Sequence, residues 1–151
     1  MSCTKILVAA LLSVLAVGCS EHHDLAVEIP DASATPVEFA WGGEPARSVT
    51  VFRCDAACPA VASLPSYKDE EDPTIGDTMW KVAGAVPAGD GTIEGPVQYG
   101  MVDGADVTVV TPATPLSPGE YLVRVVTMRR SKKPLTADWG TGWSTFTVGD
   151  T

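Results

Sequence analysis

Four groups of residues in this 151-residue chain have types and spacings that bear on chemistry. Cys54 and Cys58, in "CDAAC", can form a disulfide, act as a redox pair or supply half of a zinc site. The redox motif has two intervening residues and this has three, and a zinc site needs further ligands. His22 and His23, with Glu21 and Asp24 beside them, offer imidazole and carboxylate donors; the plainer reading is a solvated tether. The run Asp69, Glu70, Glu71, Asp72 offers hard oxygen ligands but lacks the DxDxDG spacing of a dedicated calcium loop. A solvated loop that keeps a neighbouring edge strand from pairing is the better expectation. "MRRSKKPLTADWGTGW", Met128 to Trp143, joins Arg129, Arg130, Lys132 and Lys133 to Trp139 and Trp143 around two glycines. Such a tip can meet anionic head groups or cell-wall polymers, and a tryptophan face can stack on a sugar ring. The competing reading is a charged hairpin tip, with Trp143 packing inward at the start of the last strand.

The absence of other groups is equally informative. Both histidines precede residue 35, so the expected domain holds no His base for a Ser-His-Asp or Cys-His nucleophile. No pair of carboxylates is marked as an acid and base in a cleft. The chain is therefore read as a non-enzyme, with no cofactor and no resident metal.

The N-terminal segment says where these groups reside. Lys5 is the only charged side chain before Glu21, and Ile6 to Val17 is apolar except for Ser13. A basic start, a short apolar stretch and a small-residue end describe a secretory signal. The run is too short for a membrane-spanning helix, which needs roughly 20 apolar residues. "LAVGC" resembles the lipobox of bacterial lipoproteins, with Ala16 where that family prefers Leu and Leu15 one place earlier. The resemblance implies cleavage after residue 18 and a diacylglyceryl group on Cys19, usually joined by an acyl chain on the new amine. Two or three chains hold firmly where one holds weakly, at about 0.8 kcal/mol per buried methylene. Ser20, a residue other than Asp after the Cys, implies sorting to the outer membrane of a Gram-negative cell. Export also favours the disulfide for Cys54 and Cys58. Closing so small a loop contributes about 2 kcal/mol.

Removal of residues 1–18 as signal leaves 133 residues, expected as a tether over 19–34, whose short alternating piece from Leu25 to Ile29 has room for a first edge strand, and one domain over 35–151. That length buries a sizeable core unaided. The mature part carries nine Lys and Arg against nineteen acids, which disfavours nucleic acid as a partner.

From Thr35 the elements that must position these groups read as strands. "VEFAW" puts Val37, Phe39 and Trp41 on one face. "RSVTVFRC" puts Val49 and Val51 opposite Phe52 and Cys54. "TMWKVAGAV", "PVQYGMV", "DVTVVT", "GEYLVRVVTM" and "WSTFTV" follow, separated by Gly and Pro turns. Two-residue alternation with β-branched residues predicts an all-β sandwich of about seven strands.

"LSPGEYLVRV" resembles the corner before strand F of fibronectin type III and immunoglobulin-like domains, where a Leu precedes a Pro-Gly turn and a Tyr begins the strand. "VEFAW" resembles their strand B. The resemblance implies that Tyr121 locks the corner through a backbone hydrogen bond upstream. It implies no catalytic residues. The expected role is thus a lipid-anchored envelope module that meets another protein or is architectural. A carbohydrate- or cell-wall-polymer-binding module using Trp139 is the alternative, and exposed coplanar aromatics would mark it.

Overall fold

A computed structural model describes residues 21–64, 75–84, 91–130 and 137–150. Nine strands lie among them: β1 (Glu21–Asp24), β2 (Val27–Glu28), β3 (Glu38–Trp41), β4 (Ala46–Cys54), β5 (Gly76–Gly84), β6 (Val97–Gln98), β7 (Val107–Thr111), β8 (Gly119–Arg130) and β9 (Ala137–Val148). The larger sheet runs β1-β9-β8-β4-β5-β7 and the smaller β2-β3-β6. Strands β3 to β9 correspond to the seven read from the sequence. No α-helix is present among the described residues, and none there is long and apolar enough to cross a membrane.

Alternation builds the main core. Phe39 of β3 and Val97 of β6 face Val49 and Val51 of β4, Trp80 and Val82 of β5, Tyr121, Val123 and Val125 of β8, and Phe146 of β9. Phe146 stacks on Tyr121 at 5.3 Å and meets Phe39 at 5.6 Å, so aromatic rings join the two sheets. Each such fully buried side chain contributes roughly 1.5–3 kcal/mol.

The other face of the larger sheet is buried as well. Phe52 and Cys54 of β4, Leu122 of β8 and Trp143 of β9 form a second apolar cluster, with Cys58, Leu64 and Ile75 packed on it. Cys54 and Cys58 are joined as a disulfide. That link and a short 3-10 turn over Val61–Ser63 begin the connection that leaves β4. Trp143 is buried, but in mid-strand and on this second face rather than at the start of β9 facing the main core. The reason is pairing: β8 and β9 stay in register from Gly119 opposite Val148 to Arg130 opposite Ala137. Most of the stretch read as a connection between the last two strands is therefore strand.

The segment expected as a tether is also part of the folded body. β1 pairs in parallel with β9, Glu21 opposite Asp138 and Asp24 opposite Thr141. The chain then crosses to the smaller sheet, where Val27 pairs with Trp41. Leu25, Val27, Ile29 and Ala32 pack on the main core. Both histidines thus lie in a strand, contrary to the expectation that the folded part has none.

The hydroxyl of Tyr121 donates to the Ser117 carbonyl at 2.6 Å and accepts from the Ser117 N–H at 3.1 Å. The ring is fully buried, so these two bonds fix the corner that feeds β8.

Candidate functional site

The basic, tryptophan-bearing stretch converges on one end of the larger sheet. β8 finishes there at Arg130 and β9 begins there at Ala137. β1 begins beside them, because Glu21 is opposite Asp138. The turn between β3 and β4 reaches the same end. Its Glu44 carboxylate accepts from Arg129 Nη1 at 3.4 Å, and its Glu44 carbonyl accepts from Trp41 Nε1 at 3.1 Å.

Trp139 sits one register position from Arg129, opposite Met128. The Arg47 guanidinium lies over its ring at 5.5 Å, and Arg47 Nη1 is 3.5 Å from the Met128 sulfur. Trp139 is half-buried, with one face under a cation. A sugar-stacking platform needs open ring faces. Among the described residues every Trp, Tyr and Phe is buried or half-buried, which gives the carbohydrate reading no support. Lys132 and Lys133 belong by sequence to the connection between β8 and β9 and lie outside the described residues. Cys19 and the acidic run Asp69 to Asp72 also lie outside them.

Arg129 is mostly exposed and its ion pair with Glu44 is a surface pair. Such a pair contributes about 1 kcal/mol or less, so the guanidinium stays available to an anionic ligand. Arg47 and Glu44 are the residues that sequence reasoning missed. They are some 85 positions from Arg129 in the chain, and nothing in the local pattern links them.

His22 and His23 are set apart by the strand they share. Neighbouring side chains in a strand point to opposite faces. His22 Nε2 is 3.1 Å from Thr141 Oγ1, whereas His23 lies against Gly140. The two imidazoles therefore do not converge on a single ion. No cluster of three or more His, Cys, Asp or Glu suited to a metal occurs among the described residues.

Two open grooves flank the segment that follows the disulfide. One, of about 310 Å³, is lined by Cys58, Pro59, Glu120 and Thr145 among others. The second, of about 350 Å³, is lined by Asp24, Val61, Thr141 and Trp143 among others. Each holds one carboxylate, and that of Glu120 already accepts the Cys58 N–H at 3.0 Å. Neither groove presents the two facing acids that glycoside hydrolysis needs.

No protein-family model, no curated protein and no solved structure matches this chain.

Proposed function

We propose that this protein is a lipid-anchored module of a Gram-negative cell envelope, held at the outer membrane through Cys19, which works by interaction or architecture and not by catalysis. The observation that carries the reading is the junction at Cys19. Before it stands a basic residue followed by a short apolar run, and β1 begins two residues after it. An anchor there would attach straight to a strand.

The body is read as immunoglobulin-like. The order β2-β3-β6 is comparable to strands A, B and E of that fold, and β9-β8-β4-β5 to G, F, C and C′. The Tyr121 to Ser117 corner supports the same reading. β7 follows β6 in the chain yet pairs with β5, an addition to that order.

The test is metabolic labelling with a fatty acid in a Gram-negative host, followed by detergent phase separation. The wild-type protein should take up label and enter the detergent phase. Cys19→Ala should do neither. Equal partitioning of the two proteins would refute the anchor.

A further inference from the structure

We infer that the outer edge of β7 pairs with the β7 edge of a second copy of this chain, in an antiparallel dimer whose larger sheets join across a two-fold axis. The argument begins with the sheet edges. β7 and β1 end the larger sheet, and β2 and β6 end the smaller one. β2 and β6 have two residues each, and β1 reads Glu-His-His-Asp. Shortness and charge keep an edge from pairing with another chain. β7 has neither protection. Its five residues, Val107 to Thr111, are all Val or Thr, types that favour strands. Val109 and Val110 are 50% and 53% exposed.

The inner side of β7 is committed to β5, with Thr111 opposite Lys81, Val109 opposite Val82 and Val107 opposite Gly84. Backbone N–H and C=O groups alternate in direction along a strand, so the outward set of β7 faces no further strand among the described residues. Val110 falls at the register shift and has no partner in β5. A bulge can turn an edge away from neighbours, but this one leaves both valines open to solvent.

Sequence symmetry and charge name the occupant. Thr108-Val109-Val110-Thr111 reads the same in both directions. Antiparallel pairing about its centre sets each Thr108 against the other copy's Thr111, and each Val109 against the other copy's Val110. Threonines so placed hydrogen-bond across strands, and the valines cover each other's apolar surface. Pro112, which has no N–H, ends the ladder on both sides. Asp106 then meets Ala113, whereas parallel pairing would set Asp106 against Asp106. The two-fold arrangement uses both edges, so assembly stops at two.

Such an interface is small. Four paired residues a side bury less than the roughly 1,200 Å² of a long-lived complex, so the dimer is of the transient class. After residue 18 each copy carries nine Lys and Arg against nineteen acids. Repulsion therefore opposes association, and salt relieves it.

Photo-crosslinking tests the edge in the full chain, expressed in a Gram-negative host. p-Benzoylphenylalanine replaces Val109, or Gly149 as the control. Gly149 is exposed just past β9, with three strands between β9 and β7 in the sheet, and a Cβ there meets nothing within 4 Å. Irradiation should yield an adduct of twice the chain mass, several-fold more from position 109 than from 149. Adding Val110→Lys should reduce the adduct from 109 several-fold. The purified wild-type protein should sediment with a mass that rises with concentration, and more steeply at high salt. Equal adducts from the two positions, an adduct from 109 of another mass only, a monomer at every concentration, or association that salt weakens overturns the inference. None of these measurements involves Cys19, so their outcome is independent of the anchor.

Discussion

Gly142 of β9 faces the backbone of Leu25. A Cβ added at Gly142 would overlap the Leu25 carbonyl oxygen and stand 2.6 Å from Val27 Cγ2. Gly140, two positions earlier, is just as confined: its added Cβ would overlap Thr127 Oγ1 and stand 2.8 Å from His23 Nε2. The two glycines of "WGTGW" are thus explained by packing. They let the N-terminal segment cross from the larger sheet to the smaller one.

Gly142→Ala should therefore destabilise the fold by about 1–3 kcal/mol, the range for overpacking a site that cannot give way. The loss should be greatest at the N-terminus. Faster amide exchange over residues 21–28 than over β8, together with a lowered Tm, is the expected result.

Tyr121→Phe keeps the buried ring but leaves the Ser117 N–H and carbonyl without their hydroxyl partner. Unmade hydrogen bonds of this kind cost about 1–3 kcal/mol. Denaturant unfolding should show that loss with an unchanged slope, because the area exposed on unfolding is the same.

Tyr99 should set an alkaline limit on stability. Its hydroxyl donates to the Thr114 carbonyl at 2.6 Å, with the Met79 carbonyl at 3.0 Å. Burial pushes its pKa up from 10.0 to about 12. A raised acid pKa means that the unfolded chain ionises first. The contribution is intact below pH 10.0 and is lost as pH rises toward about 12. Tyr99→Phe should flatten that part of the stability profile, as measured by unfolding across the alkaline range.

Much of this fold is legible in the sequence where one strand face meets one core. Val49 and Val51 against Phe52 and Cys54, or Tyr121, Val123 and Val125 in phase, are strict two-residue patterns. β1 was not legible, since four polar residues show no period, whereas β2 lies within the short alternating piece from Leu25 to Ile29. The second apolar cluster was hidden for another reason. Arg124 stands between valines where alternation suggests solvent, yet it is buried, with its guanidinium over the rings of Trp143 and Phe52 at 5.4 and 5.7 Å. Such cation–ring contacts leave no trace in hydrophobic patterning. At the basic end, Arg129 and Trp139 were evident by composition. Their partners Glu44 and Arg47 depend on long-range pairing of β4 with β8.

The account turns on whether the body is fixed to a bilayer at the start of β1. Mass spectrometry of the N-terminal peptide of the mature protein, expressed in a Gram-negative host, addresses this most directly. The peptide should begin at Cys19 and carry a diacylglyceryl group, with a further acyl chain on its amine. A peptide that begins elsewhere, or one with an unmodified Cys19, would contradict the account.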